Sequence, residues 1–189
     1  MTFQKGSPED LLGRQGEDCV RDYLRKQGFY VLEANEINKL GAPMASNQGD
    51  SIILPDLLTM KDGVSKWCEV KTKSHPAPPP WDKTLLQHGI STKHFESYLK
   101  IETESHITGW LYIVEIESKC LLYQTFIKLK GNIDHKGDMC SKKERESGIK
   151  PYEHVFFNRD IFIEEKIVSL PNFIKIEPRA DSTIRRLNK

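Results

Sequence analysis

No stretch of the 189-residue chain is apolar over the ~18 residues that crossing a bilayer takes, and nothing near its start reads as a signal peptide. Neither sign of charge dominates: 28 Lys and Arg stand against 27 Asp and Glu, a net charge of +1. That balance neither demands nor excludes a nucleic-acid partner. Cysteine is sparse and scattered. Cys19, Cys68, Cys120 and Cys140 show no metal-ligand spacing, and Cys140 forms only an irregular set with His135 and His154. These absences argue against a membrane protein, a disulfide scaffold and a zinc site. They predict reduced thiols in a cytoplasmic, intracellular protein.

What is present is the composition of an ordinary globular protein, 38% hydrophobic and 29% charged. The length suits one domain with a real core over about residues 7–130, followed by a decoration and a basic tail over 131–189. Charge is unevenly spread. Residues 61–100 carry seven Lys and Arg against four Asp and Glu, and 141–189 carry eleven against eight, whereas 1–60 carry six against nine. A phosphate-binding face would place its surplus so, although solvated surface lysines give the same tally.

The chemistry gathers between Asp50 and Ser74. Two β-rich runs, Ser51–Met60 and Val64–Lys73, flank Lys61-Asp62-Gly63, and Asp-Gly between such runs is the strongest short-range signal of a hairpin. A two-residue turn at Asp62-Gly63 pairs Lys61 with Val64 and sets Asp56 opposite Glu69, with Cβ atoms about 5 Å apart. Alternation then puts Lys71 on the same face as Glu69, about 6.6 Å along the strand. A slip of one residue would undo this. Two carboxylates facing each other repel, and a divalent cation removes the objection: Mg²⁺ takes one or two carboxylates, waters and substrate phosphate.

Pro55-Asp56, twelve intervening residues, then Glu69-Val70-Lys71 resembles the active-site signature of the PD-(D/E)XK nuclease superfamily, over roughly residues 7–117. The resemblance implies an α/β fold of αβββαβ restriction-endonuclease-like order, with a mixed central sheet flanked by helices. It implies a Mg²⁺-dependent DNA nuclease, Mn²⁺ substituting, and catalytic roles for Asp56, Glu69, Lys71 and Glu17. Asp56, Glu69 and the Val70 backbone carbonyl would hold the metal, with Glu17 joining directly or through water. Glu17 enters from Gly13-Arg14-Gln15-Gly16-Glu17, similar to the Gly-x-x-Gly-Glu context on the first core helix of many members. His94-Phe95-Glu96-Ser97-Tyr98 is similar to a Gln-led pattern on the helix after the lysine strand, with His in place of Gln and Gln87 a rival for that role. Lys73, Gln87, His94 and Tyr98 are therefore the candidate nucleic-acid contacts.

Elsewhere the order reads simply. Ser7 caps a helix with Pro8 at its first position, stopped by Gly28, with Glu17, Val20 and Leu24 on one stripe. A surface ion pair is the plain alternative for Glu17. Phe29–Glu33 reads as a strand and residues 34–50 as a loop, with Asp50 a strand-entry residue. Residues 74–81 read as a polyproline-type connector whose Trp81 packs or stacks on a base. Ser91 caps a helix to about Glu102. Ile107–Glu117 and Cys120–Leu129 read as strands, 130–152 as a mobile loop, and Val155–Phe157 as a short strand, while 160–169 fits helix or strand. A double-strand cut would favour a two-fold homodimer. A non-catalytic nucleic-acid-binding module and a structural polar cluster remain open beside the nuclease reading.

Overall fold

The computed structural model describes residues 7–34, 52–79, 82–138 and 153–167. Asp50, Trp81, Cys140 and the basic tail lie outside them. Helix α1 (Pro8–Lys26) starts at Ser7, whose Oγ accepts the Asp10 N–H at 3.2 Å. Glu9 and Asp10 in the first turn and Arg25 and Lys26 in the last suit the helix dipole. Its buried stripe is Gly16, Cys19, Val20 and Leu24.

Six strands form the main sheet: β1 (Tyr30–Glu33), β2 (Leu57–Lys61), β3 (Val64–Lys73), β5 (Thr108–Glu115), β6 (Cys120–Thr125) and β9 (Ile163–Lys166), in the order β1-β2-β3-β5-β6-β9. Only β3 and β5 run parallel. A parallel pair needs a crossover, and β4 (Gln87–Ser91) with helix α2 (Thr92–Ser105) provides it. A smaller sheet has the order β4-β8-β7, from β7 (His135–Asp138) and β8 (Glu153–Asn158). The result is mixed α/β, a mixed central sheet flanked by helices.

Strand alternation sorts the core into two layers. Cys68 and Val70 of β3, with Tyr112, Val114 and Leu121, pack against Val20 and Leu24 of α1. On the other face Leu111, Ile113 and Leu122 meet Phe95 and Tyr98 of α2 and Ile90, Val155 and Phe157 of the small sheet. Phe95 sits edge-on to both Phe126 and Phe157, contacts worth about 0.5–1.5 kcal/mol each beyond area burial.

Several elements depart from the sequence-based expectation. The strand expected over Ser51–Met60 begins only at Leu57. Ser91 stands at the N-cap of α2 but makes no side-chain cap bond. The strand expected to reach Leu129 stops at Thr125, where the Thr125 side chain accepts the Lys128 N–H at 3.3 Å and starts a short helix, α3 (Phe126–Lys130). β4 and β7 were not expected, since both form by pairing with β8. The stretch open to helix or strand is a 3-10 turn, Arg159–Ile161, then β9. Residues beyond 130, expected as decoration and loop, thus supply an edge of the main sheet and two strands of the small one.

Candidate active site

The site is built outward from the hairpin. Asp62 and Gly63 have φ of 51° and 76°, the two positive values a type I′ turn requires. Lys61 pairs with Val64, and the ladder runs to Leu57 opposite Cys68. It stops there, one step short of the Asp56–Glu69 pairing that the register predicts. Pro55, the residue before Asp56, has no N–H to lend a longer ladder. The Val70 N–H goes instead to the Asp56 side chain, donating to Oδ2 at 2.8 Å. The Asp56 carbonyl accepts the Ala34 N–H at 2.8 Å, so the residue is held from both sides.

Glu69 is 1% exposed. Its Oε1 accepts from the Lys71 ammonium and, at 2.6 Å, from the Tyr98 hydroxyl of α2. Its Oε2 is buried with no hydrogen-bond partner. An orphaned carboxylate oxygen in a dry site is costly and invites a cation. Burial first, then the Glu69 charge, pushes the Asp56 carboxyl up to about 7. Burial and then Asp56 push Glu17 up to about 7 as well, with Lys71 pulling the other way. Burial works against the Lys71 charge, yet Glu69 and Asp56 outweigh it and hold the ammonium well above the usual lysine range. This is a cluster short of positive charge.

Glu17 is coupled to the cluster by charge from α1, which packs on the opposite face from α2 through a close approach of helix and sheet. A Cβ on Gly16 would lie 1.8 Å from Thr72 Oγ1, so only glycine lets α1 settle on β3 at this level. Gly13 meets nothing within 4 Å and has no such role.

No family model matches the sequence, and no curated protein does. Among solved structures the chain is similar to Hjc of Archaeoglobus fulgidus, a Holliday junction resolvase from an archaeal hyperthermophile, at 11% identity and a TM-score of 0.47, covering 79% of this chain and 91% of that one. It is also similar to D212, a nuclease from a fusselovirus, at 10% identity and a TM-score of 0.41, covering 86% of this chain and 88% of that one. The chemistry open to the site follows from its own residues.

Those residues divide into groups. Asp56, Glu69, Lys71 and Tyr98 come together, with Glu17 coupled to them by charge. His94 sits one turn before Tyr98 with its ring 6.2 Å away, and burial, then Lys71, holds its protonation down. Lys73 lies two residues beyond Lys71 on the same face, and burial, then Lys71, lowers its pKa. Gln87 is committed elsewhere: its amide donates to Asp134 at 2.7 Å and to Asn158 at 3.1 Å. Tyr98 faces Glu69 rather than solvent, because the glutamate lies buried beneath α2 and needs a donor. Among the described residues no three or more His, Cys, Asp or Glu side chains form a ready-made metal site. A second polar cluster, which sequence reasoning missed, joins the two sheets. His88 Nε2 lies 2.6 Å from Glu115 Oε1, and Arg159 and Ser118 also donate to Glu115. Its members come from positions 88, 115, 118 and 159, too far apart for any spacing to announce.

Proposed function

We propose that the protein is a divalent-cation-dependent deoxyribonuclease, an endonuclease hydrolysing phosphodiesters at Asp56, Glu69 and Lys71. The observation that carries this reading is the buried Glu69, one oxygen unpaired, opposite an Asp56 whose ionisation the fold resists. A structural polar cluster would close its hydrogen bonds, and this one leaves a buried carboxylate oxygen for a cation to meet. The donor set fits Mg²⁺ or Mn²⁺: two carboxylates, a backbone carbonyl and water. Asp56, Glu69 and the Val70 carbonyl would hold the ion, with Glu17 direct or through water.

When bound, such an ion offsets charge on the phosphoryl oxygens and acidifies the attacking water. The rest falls to the chain. Tyr98 fixes the Glu69 carboxylate from within the core. Lys71 stays charged across the working pH and presents an ammonium to a phosphate oxygen or to the nucleophile. Glu17, whose carboxyl stands at about 7 while no ion is bound, would give up its proton as the ion enters. Lys73 and His94 extend the same face toward the phosphate backbone. Two copies related by a two-fold axis would allow both strands of a duplex to be cut. No helix among the described residues is long and apolar enough to cross a membrane.

The decisive test incubates supercoiled, linear, branched and single-stranded DNA with the protein in Mg²⁺, Mn²⁺ or EDTA. Cleavage that needs the ion and is lost in Asp56→Ala supports the reading; full activity of that variant would end it. The Lys71–Glu69 pair favours one rival, a self-satisfied cluster with no catalytic role. A Mn²⁺ titration separates the two, because such a cluster would bind no ion.

A further inference from the structure

Four lysines lie in the β2–β3 hairpin, and three of them are occupied. Lys61 donates to the Gln27 carbonyl at 2.7 Å, Lys66 lies over the rings of Phe29 and Trp110, and Lys71 meets Glu69. Lys73 is the exception. It is half-buried at the end of β3, and among the described residues it makes no hydrogen bond and no ion pair. A counter-ion is at hand but taken. The register sets Lys73 directly beside Glu115 of β5, on the same face. Glu115, however, already accepts from Arg159 Nε at 2.9 Å and Nη2 at 2.8 Å and from Ser118 at 2.6 Å, and it lies 2.6 Å from His88 Nε2.

Both sides of Lys73 are therefore poor company for a cation. Two residues back along the strand face stands the Lys71 ammonium, and across the sheet stands an acid already neutralised by Arg159. Burial, then Lys71, works against the Lys73 charge, and no carboxylate works for it. A cation withdrawn from water without a counter-ion is destabilising. Surface lysines escape this by reaching into solvent. A half-buried lysine set against a like charge is instead short of an anion, and this one lies on the face that carries Glu69 and Lys71. Side chains two apart on a strand stand about 6.6 Å apart, comparable to the step between successive phosphates of one nucleic-acid strand.

We propose that Lys73 grips the phosphate next to the one being cut, so that the site engages two successive phosphates of one strand, the reacting one at Lys71 and its neighbour at Lys73. The Glu115–Arg159 bond keeps Lys73 available, since a free Glu115 would neutralise it. The link to the candidate active site is local: both lysines project from one face of one strand. A bond at the end of a strand, with no phosphate beyond it on that side, is then cut slowly unless the end carries a terminal phosphate. The substrate is the interior of a nucleic-acid strand or a phosphorylated end, not a lone phosphodiester. This inference rests on the phosphodiesterase reading and adds to it a residue that sets specificity.

The test compares the intact chain with Lys73→Met, which keeps the stem and removes the ammonium, and with Lys73→Arg, which keeps the charge. Without DNA, Lys73→Met is expected to unfold at no lower a urea concentration than wild type, because nothing pairs with the charge it loses. Its affinity for a fluorescent DNA duplex in EDTA is expected to fall about 10-fold, and the slope of log K against log salt to lessen by about 0.9, the share of one phosphate. Lys73→Arg is expected to keep both. In Mg²⁺, single neutral methylphosphonate linkages are then walked outward from a mapped cut. Wild type is expected to slow at the linkage beside the cut on one side, while Lys73→Met, already lacking that contact, slows no further there. A destabilised Lys73→Met, an unchanged salt slope, or equal slowing of both proteins at that linkage each overturns the proposal. In those cases cleavage of unmodified DNA by wild type still upholds the nuclease reading. If wild type cuts no DNA in Mg²⁺ or Mn²⁺, both fall.

Discussion

Glu69 shows how one buried side chain sets the terms for its neighbours. It is almost wholly enclosed, and its charge is met by Lys71 and the Tyr98 hydroxyl. Removing one member of such a pair leaves a buried charge, a cost on the order of 3 kcal/mol. Lys71→Ala is therefore expected to abolish cleavage and also to destabilise the ion-free protein by that order. Mg²⁺ should restore most of the loss; urea melts with and without the ion check this, and a variant as stable as wild type in EDTA would show that the pair is solvated. The acids make a second prediction. Asp56 and Glu17 stand at about 7, above their ordinary 3.8 and 4.5. The folded protein therefore holds more protons than the unfolded chain between about pH 4 and 7, and the ion-free form loses stability as pH rises through that window. A cation needs the ionised acids, so its affinity should climb up to about pH 7 and level off above, with protons released on binding. Calorimetry at about pH 6 in two buffers of different ionisation enthalpy reads that release. No release would exclude these carboxylates as the ligands.

Among the elements, α1 and β3 meet at a tight seam. Gly16 leaves no room for a methyl group against Thr72. Gly16→Val is expected to cost about 1–3 kcal/mol or more through overpacking. Because Glu17 follows directly, lifting α1 should also weaken Mn²⁺ binding, and a variant that lost stability but kept its ion affinity would detach Glu17 from the site. The hairpin was legible in the sequence because everything that specifies it is local: Asp-Gly supplies both positive φ values, and alternation fixes the faces. α1 was legible from Ser7, Pro8 and its stripe. β4 was not, since Gln-His-Gly-Ile-Ser has little intrinsic strand preference and pairs with residues some seventy positions later. α3 was misread because Phe-Ile-Lys-Leu-Lys alternates well enough for a strand, and only the Thr125 cap decides otherwise. The His94–Tyr98 spacing was visible; that Tyr98 serves a buried carboxylate depends on α2 lying over β3.

Across the whole molecule the two sheets are joined through Glu115. Burial would raise its pKa, but hydrogen bonds from Arg159, Ser118 and His88 hold it down to about 2. A depressed carboxylate gives stability that is present above its unfolded value and is lost as pH falls from about 4.5 toward 2. His88, lowered mainly by burial, acts in the same direction below its ordinary 6.5. Glu115→Ala leaves the buried His88 without its partner and Arg159 with Glu164 alone, and is expected to cost on the order of 3–5 kcal/mol. Hydrogen exchange should then show β4 and β8 losing protection before β3 and β5; uniform loss would mean the sheets do not separate. The Asp62-Gly63 reversal, finally, carries a kinetic consequence. Asp56 and Glu69 meet across one of the shortest loops in the chain, so their repulsion already acts while the distant strands are still unplaced, at the stage when low-contact-order pieces assemble. An ion in the refolding buffer should accordingly steepen the climb into the native state, speeding refolding more than it slows unfolding. Stopped-flow chevrons with and without Mg²⁺ would show on which limb the ion acts, and therefore whether this hairpin is an early or a late arrival.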